Sequence, residues 1–117
     1  MHTKIAIAVA AILILASVHL AEAQQVKKVP RIGYLTGATP DGQTARIEAF
    51  RQGLRELGYI EGKNIVIEYR YAEEKLDRLP ALAAELVRLK VDVIVSGGGE
   101  NTRAAKEATE KEKEEVK

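Results

Sequence analysis

Apolar residues recur along the chain with two different spacings, and the two spacings alternate. Alternating or continuous apolar positions are typical of β-strands, whereas apolar positions at steps of three and four are typical of amphipathic helices. Strand-like segments occur at residues 29–35, 64–71 and 91–95. Helix-like segments begin near Gln43, after Asp77 and at Asn101. The pattern predicts the element order β-α-β-α-β-α, with Asp77 as an N-cap and Gly58 as the glycine that ends the first helix.

The second and third predicted strands differ in the faces that they bury. The odd-numbered residues 65–71 are isoleucine or tyrosine, while the even-numbered ones include Glu68 and Arg70, as expected of an edge strand. Strand three is apolar apart from Asp92, which predicts a strand buried on both faces. Crossovers between parallel strands are right-handed. The prediction is therefore an α/β fold, a three-layer Rossmann-like unit with the parallel sheet order 2-1-3.

Glycine-containing loops follow the first and third predicted strands. Thr36 and Gly37 follow strand one, and Ser96, Gly97 and Gly98 follow strand three. In the order 2-1-3 these loops flank the topological switch point, where open α/β sheets bind ligands. A glycine-rich loop before a helix offers backbone N–H groups to an anion such as a carboxylate. A plain strand-to-helix turn has the same pattern, so ligand contact and a simple turn both remain open here.

Two segments approach nucleotide-binding motifs without completing them. Residues 37–44 nearly form a phosphate-binding P-loop, but Gln43 occupies the lysine position. Residues 97–102 resemble a dinucleotide fingerprint, but Thr102 stands where the last glycine belongs, and the segment follows the third strand instead of the first. Nucleotide hydrolysis is therefore not expected.

Other polar and aromatic residues have structural interpretations that compete with functional ones. Asp92 is expected to face a neighbouring turn or strand end in preference to a substrate. Tyr69 and Tyr71 could stack on a ligand, but at strand spacing cross-strand packing is the favoured interpretation. Glu73 and Glu74 form an exposed acidic pair, and nothing in the sequence makes them a catalytic dyad.

The first 23 residues have the composition of a cleavable signal peptide. Lys4 supplies a positive charge, an apolar run extends from Ile5 to Val18, and residues 21–23 read Ala-Glu-Ala, a signal peptidase pattern. The run is shorter than the roughly 20 apolar residues of a membrane-spanning helix. No cysteine is present to carry a lipid anchor. We therefore expect a mature chain that starts at Gln24, exported without an anchor to the periplasm of a Gram-negative cell.

Composition also narrows the chemistry of the mature chain. Both histidines, His2 and His19, lie in the predicted signal segment, and the chain has no cysteine. These absences remove Ser-His-Asp and Cys-His nucleophile schemes and the usual zinc ligands. No catalytic residue, metal or cofactor is therefore expected. The formal net charge is +1, and no basic patch is interleaved with aromatics, which argues against nucleic acid as a partner.

Several blocks of the sequence closely resemble one family, the periplasmic substrate-binding components of ABC transporters. Within that family they are most similar to a branch related to aromatic-amino-acid binders. The resemblance extends from about Ala23 to Thr109. The blocks that carry it are residues 29–35, 50–59, 61–65, 68–70, 77–87 and 91–95.

The resemblance implies a two-lobed protein of the type I periplasmic-binding fold, in which a solute is captured between the lobes. Its partners would be a small organic solute, of a class that includes amino-acid-like molecules, and, for a full-length protein, an ABC permease of the inner membrane. The positions carried over form one lip of the cleft, with Tyr71 the weakest of them: Thr36, Gly37, Tyr71, Ser96, Gly97 and Gly98.

The chain departs from the family pattern after Thr109. A charged segment, residues 110–117, stands where the family continues into a further strand, and so many charges are too costly to desolvate in a central strand. We therefore expect a truncated half-lobe over residues 24–109 and a solvated tail over 110–117, fraying from Lys111.

Two other functional classes compete with solute binding. The first is a small exported interaction module, in which the exposed edge of strand three pairs with another copy or a partner chain. The second, an exported α/β enzyme, is disfavoured because the mature chain lacks His, Cys and a convergent acid–base pair.

Overall fold

The computed structural model describes residues 28–116. The predicted signal segment, residues 24–27 and Lys117 lie outside the described residues. The observed element order is the predicted β-α-β-α-β-α. None of the helices within residues 28–116 combines the length and apolar character needed to cross a membrane. The elements are β1 (Arg31–Thr36), α1 (Pro40–Glu56), β2 (Val66–Tyr71), a 3-10 turn (Leu76–Arg78), α2 (Leu79–Arg88), β3 (Val93–Ser96) and α3 (Gly99–Val116).

The three strands form one parallel sheet in the order β2-β1-β3, as predicted. Ile32 of β1 lies opposite Ile67 of β2 on one side and Val93 of β3 on the other. The edge position of β2 suits its charged face, because Arg70 is ion-paired with Glu85 of α2 at 2.8 Å. A central strand with the same residues would have to bury these charges.

Adjacent residues of β1 direct their side chains to opposite faces of the sheet, and each face has its own core. Leu35 is fully buried in a cluster with the apolar stripe of α2 and with Ala104 of α3. Tyr34 packs on the other face against Ile47 of α1 and Ile67. The sheet therefore lies between α1 and the pair α2–α3, which confirms the three-layer prediction. The buried stripe residues of α2 are Leu79, Leu82, Ala83 and Leu86, with Val87 half-buried.

The start of α1 was predicted too late. The helix begins at Pro40, not near Gln43. Thr39 is its N-cap, and the Thr39 side chain accepts a hydrogen bond from the Gly42 N–H at 3.1 Å. Proline is well tolerated in a first helical turn because its missing N–H would have no helical acceptor there. Four residues assigned to a loop therefore contain the cap and the first turn.

The end of α1 agrees with the prediction made from Gly58. This glycine has a φ of +90°, in the left-handed region. Its N–H donates to the Arg55 carbonyl at 3.0 Å, and the Tyr59 N–H donates to the Leu54 carbonyl at 2.8 Å. These two bonds form a Schellman motif, which satisfies carbonyls that the helix end would otherwise leave open.

The N-cap predicted for the second helix is wrong. Asp77 lies inside the 3-10 turn Leu76–Arg78, and α2 follows directly with Arg78 in the cap position and no side-chain cap bond. Because Asp77 is itself part of a helical turn, it is not the residue that precedes the first turn of α2, and its carboxylate does not cap that helix. Pro80 lies in the first turn as expected.

The prediction that strand three is buried on both faces is also wrong. β3 is an edge strand of the described sheet, and Val93 is 51% exposed. Ile94 and Val95 are half-buried, one toward the α2–α3 core and the other toward the α1 core. An apolar run indicates that a strand can be buried, but the presence of a neighbour on each side decides whether it is.

The charged end of the chain is more ordered than expected. Fraying was predicted from Lys111, whereas α3 continues without a break to Val116. Glutamate and lysine are good helix formers, and an i,i+4 pair joins Lys106 Nζ to Glu110 Oε1 at 4.0 Å. Most of these side chains are exposed, so the segment is solvated as predicted but helical.

Candidate functional site

The loops after β1 and β3 lie side by side at the carboxyl edge of the sheet. We call the space between them the strand-end crevice, bounded by Thr36–Gly37 on one side and Ser96–Gly98 on the other. In the sheet register Leu35 lies opposite Ser96, so the two strands end at nearly the same level. The predicted convergence of these two loops is therefore present in the fold.

Asn101, in the first turn of α3, connects the two loops. A Cβ atom built on Gly37 would lie 3.0 Å from Leu76 Cδ2 and 3.3 Å from Asn101 Oδ1, both tight contacts. On the other side, Asn101 Nδ2 donates a hydrogen bond to the Gly97 carbonyl. A side chain at position 37 would therefore crowd Leu76 and Asn101, and the Asn101 side chain lies between the two loops.

The loop after β3 is held by α3 as well. Gly98 has a φ of +94°, and its carbonyl accepts bonds from the Thr102 N–H at 3.1 Å and the Thr102 hydroxyl at 2.9 Å. The Ser96 and Thr102 hydroxyls lie 3.0 Å apart. Residues 96–102 therefore form one small hydrogen-bonded unit. Sequence reasoning assigned no role to Asn101 or Thr102, although Asn and Thr just after a glycine loop are a typical helix-start signal.

The loop after β1 is bound by the turn that follows β2. Thr36 is buried, and its hydroxyl accepts the Ala38 N–H at 3.2 Å. The Gly37 carbonyl accepts the Glu74 N–H at 2.7 Å. Glu73 and Glu74 both have positive φ values, 55° and 68°, which are uncommon for residues with a side chain. This acidic pair, which the sequence marked only as exposed, therefore forms the turn that supports Gly37.

The tyrosines of β2 pack along the α1 face of the sheet. The rings of Tyr69 and Tyr71 are stacked with centroids 6.3 Å apart, and Tyr34 of β1 lies 6.0 Å from Tyr69. Burial raises the pKa of Tyr71. Burial, followed by a hydrogen bond to Glu61, raises the pKa of Tyr69 to about 12. Cross-strand packing, the favoured sequence interpretation, is thus present, and Tyr71 lies opposite Thr36 at the end of β1.

Two residues that the sequence singled out, Gln43 and Asp92, make structural contacts outside the strand-end crevice. Gln43, in the lysine position of the incomplete P-loop, is buried, and its side-chain carbonyl accepts the Tyr34 hydroxyl at 3.0 Å. Asp92 lies at the opposite end of the sheet. It accepts the Arg31 N–H at 2.8 Å and pairs with Lys28 at 3.1 Å. The Arg31 N–H and then the Lys28 ammonium lower the pKa of this carboxyl. Asp92 therefore faces the start of the neighbouring strand β1, as expected, although it precedes β3 and does not lie inside it.

A groove of about 600 Å³ lies along the outer edge of β3. Ser96 and Thr102 line the end of the groove that is nearest to the carboxyl edge of the sheet. Of the predicted lip residues, Ser96 alone is part of the lining. Further down it is lined by Val93 and Ile94 of β3 and by α3. This elongated groove extends away from the strand-end crevice, which it meets at Ser96 and Thr102.

The strand-end crevice offers neutral hydrogen-bonding groups. Ser96 and Thr102 contribute hydroxyls, Asn101 contributes an amide, and the glycine loop contributes backbone N–H groups beside the amino terminus of α3. Among residues 28–116, no three His, Cys, Asp or Glu side chains are grouped as a metal site. The arrangement suits hydrogen bonding to a polar solute, with the positive end of the α3 dipole favouring a negative group.

A scan of the chain against models of protein families found no match, and a search of curated proteins found none. Among solved structures, the chain is similar to the ligand-free, open structure of CD0873, a substrate binding protein with adhesive properties from Clostridium difficile. The TM-score is 0.62 and the sequence identity 24%. The match covers 68% of this chain and 27% of that one. The chain thus spans about a quarter of the length of this neighbour.

At this level of identity the similarity establishes the fold. The described chain has a Rossmann-like α/β architecture, with three parallel strands in the order 2-1-3 and helices on both faces, similar to part of that neighbour's fold. In such open sheets, the edge formed by the carboxyl ends of the strands is where ligands bind. The strand-end crevice lies at that edge.

Proposed function

We propose that this chain contributes one lip of a solute-binding cleft and acts as a binder without catalytic activity. The observation that carries the proposal is the grouping of hydroxyl, amide and backbone N–H groups around Asn101, at the carboxyl edge between β1 and β3. The substrate-binding neighbour supports the same assignment. Capture would follow the hinge closure of two-lobed binding proteins, in which the solute is enclosed from both sides.

The solute class that fits best is a small organic molecule with a carboxylate, such as an amino acid. The amino terminus of α3 and the N–H groups of residues 97–99 favour a negative group, while the Ser96 and Thr102 hydroxyls can each donate or accept. Binding one lip alone leaves much of a ligand exposed, whereas ligand pockets bury most of the ligand surface. Affinity of the chain by itself is therefore expected to be weak, on the order of millimolar.

The cellular setting in the proposal is the periplasm, with delivery of the solute to an ABC permease of the inner membrane. It is supported by the signal-like residues 1–23 and by the sequence blocks shared with ABC substrate-binding components. Expression of the full coding sequence in a Gram-negative host, followed by fractionation and mass measurement, tests it. A periplasmic product starting at Gln24 supports the assignment, and an uncleaved cytoplasmic product contradicts it.

Solute binding is tested by recording amide NMR spectra of the chain while candidate amino acids and related carboxylates are added at millimolar concentration. We expect shifts confined to residues 36–37 and 96–102. Gly97→Leu should abolish these shifts, because the leucine side chain would occupy the space at the lip that the solute would fill. The variant should still fold, since a side chain at position 97 meets no atom within 4 Å. Gly53→Leu is the matched control, since Gly53 is equally unobstructed but lies on α1.

The outcome that contradicts this proposal is equally specific. Shifts that survive in Gly97→Leu, or that spread to residues away from the strand-end crevice, would place the binding site elsewhere. A complete lack of shifts for every carboxylate and amino acid tested would refute the proposed solute class.

A second function, from a different class, is favoured by one observation, the position of β3 at an edge of the sheet that residues 28–116 form. In this proposal the chain is an interaction module that pairs through that edge. The discriminating measurement is the oligomeric state in the absence of any solute, because edge pairing requires a second chain and solute capture does not.

A further inference from the structure

The hydroxyl groups at the strand-end crevice have a fixed hydrogen-bond direction. A hydroxyl can donate or accept in principle, but a backbone carbonyl can only accept. The Thr102 hydroxyl lies 2.9 Å from the Gly98 carbonyl, so its single hydrogen points to that oxygen. The Ser96 and Thr102 hydroxyls are 3.0 Å apart, and with the Thr102 hydrogen in use Ser96 must be the donor between them. Both hydroxyl hydrogens are therefore engaged within the loop, and the Ser96 oxygen presents only its lone pairs to a solute.

The side-chain amide of Asn101 is oriented for the same reason. Its nitrogen donates to the Gly97 carbonyl, a place that the amide oxygen could not take because it carries no hydrogen. A Cβ atom built on Gly98 would lie 3.8 Å from Nδ2, whereas one built on Gly37 would lie 3.3 Å from Oδ1. The donor end of the amide therefore faces the loop after β3, and the acceptor end faces the loop after β1.

The acceptor end of Asn101 is available to a ligand. Among residues 28–116, the Asn101 amide makes its hydrogen bond through Nδ2, and Oδ1 accepts none. Every buried side-chain nitrogen or oxygen of this part of the chain has a hydrogen-bond partner, so an oxygen without a partner is accessible to solvent. Asn101 Oδ1 is thus an accessible acceptor whose orientation is already fixed by the bond at the other end of the same amide. Such preorganisation lowers the entropy cost of binding a donor.

We infer that Asn101 Oδ1 binds a protonated amine of the solute, and that this contact distinguishes an amino acid from the corresponding carboxylic acid without the amine. The inference rests on the proposed solute-binding function and adds the residue that recognises the amine. The backbone N–H groups at the start of α3 remain the donors for the carboxylate. Ser96 Oγ is a second acceptor at the same edge of the sheet, and hydrogen bonds from a charged donor are stronger than those between neutral groups.

Nearby carboxylates offer a competing explanation for any preference for an amine. Glu100 precedes Asn101 in α3 and is exposed, as is Glu74. Glu73 is paired with Arg78 at 3.5 Å. Exposed charges attract a cation through water, and salt screens this attraction, whereas a direct hydrogen bond is much less affected. A preference that persists at high salt and without the charge of Glu100 therefore belongs to Asn101.

The test compares leucine with 4-methylpentanoate, which has the same carboxylate and aliphatic chain but no amine. An aliphatic probe is suitable because Leu76 is 50% exposed and its Cδ2 would lie 3.0 Å from a Cβ atom on Gly37, beside the crevice. Each compound is added to the product purified from the full coding sequence, at high salt, and its dissociation constant is obtained from the amide NMR shifts. We expect leucine to bind roughly five- to tenfold more tightly.

Two substitutions of Asn101 should change this preference in opposite directions. Asn101→Ala should weaken leucine binding to the level of 4-methylpentanoate and leave the latter unchanged. Asn101→Asp should increase the preference, because a carboxylate attracts the ammonium group and repels the free acid. Glu100→Gln is the matched control and should leave the preference unchanged. If Asn101 only holds the two loops in place, both substitutions should instead weaken the two compounds equally.

The possible results separate this inference from the function on which it rests. Equal affinities of wild type for the two compounds overturn the inference while solute binding remains. The same conclusion follows from a preference that survives in Asn101→Ala, from one that Glu100→Gln abolishes, or from an equal loss of both compounds in the two Asn101 variants. Failure of every amino acid and carboxylate to bind overturns the proposed solute class, and this inference with it.

Discussion

The left-handed backbone at Gly98 gives a quantitative test of how the lip after β3 is built. Gly98 and Gly97 are adjacent, and a Cβ atom on either meets no close contact: it would lie 3.8 Å from Asn101 Nδ2 at position 98 and would have no neighbour within 4 Å at position 97. They differ in backbone conformation, because only Gly98 has a positive φ, +94°. Gly98→Ala and Gly97→Ala therefore form a matched pair in which sterics are nearly equal.

The expected magnitude follows from two opposing effects. Alanine reduces the conformational entropy of the unfolded chain relative to glycine, which stabilises either variant by about 0.4–1 kcal/mol. At position 98 a left-handed conformation costs alanine roughly 1–2 kcal/mol. Relaxation of the loop is opposed by the two Thr102 bonds to the Gly98 carbonyl and by the Asn101 bond to the Gly97 carbonyl. Gly98→Ala should therefore be about 1–2 kcal/mol less stable than Gly97→Ala.

Urea unfolding followed by far-UV circular dichroism measures this difference. For a small protein with an m-value of about 2 kcal/mol/M, it corresponds to midpoints roughly 0.5–1 M apart. Wild type should lie between the two variants. Equal midpoints for Gly97→Ala and Gly98→Ala would refute the reasoning, because they would show that residue 98 does not hold the left-handed conformation in solution.

Three further predictions concern the scaffold beneath the site. Thr39→Ala should lower the free energy of unfolding, measured with urea, by about 1 kcal/mol, because the Gly42 N–H loses its cap acceptor. Thr39→Ser keeps a hydroxyl and should retain most of the wild-type stability, and a loss equal to that of Thr39→Ala would contradict capping. Gly33→Ala should destabilise by about 1–3 kcal/mol, because its Cβ would lie 3.0 Å from buried Leu86; a double-mutant cycle with Leu86→Ala should show strong coupling, and additive effects would argue against that contact. The pKa of Asp92 in the folded protein lies below its ordinary value of 3.8, so the ionised carboxylate stabilises the fold above the unfolded-state pKa, and this stabilisation is lost as the pH falls through the folded-state pKa. As the pH is lowered from 6 to 2, the free energy of unfolding should therefore fall more steeply for wild type than for Asp92→Asn, and parallel profiles would contradict the Arg31 and Lys28 contacts.

The element order and the strand order could be predicted from local patterns alone. Residue spacing separated strands from helices. The contrast between the charged face of strand two and the apolar strand three predicted the order 2-1-3, which is correct although strand three is itself at an edge of the described sheet. Gly58 marked a helix end for a local reason, since a left-handed residue favours glycine wherever it occurs. These features depend on near neighbours in the chain, and near neighbours are visible in a sequence.

The composition of the strand-end crevice was only partly predictable. The sequence identified the two glycine loops, but it gave no indication that Asn101 joins them or that the Glu73–Glu74 turn supports Gly37. Helix starts were also misplaced. Aspartate is a common N-cap residue, but Asp77 lies inside the 3-10 turn before α2 and is therefore not the N-cap of that helix.

What the sequence by itself determined is the set of elements and the edge of the sheet at which the two glycine loops meet, because periodicity and loop composition are local properties. The tertiary structure alone decided which contacts close the loops and which strands form the edges of the sheet in residues 28–116. Residues 91–95 are apolar enough for a buried strand, yet Val93 is half-exposed at an edge. Burial depends on what packs alongside a segment, and that is a property of the assembled fold.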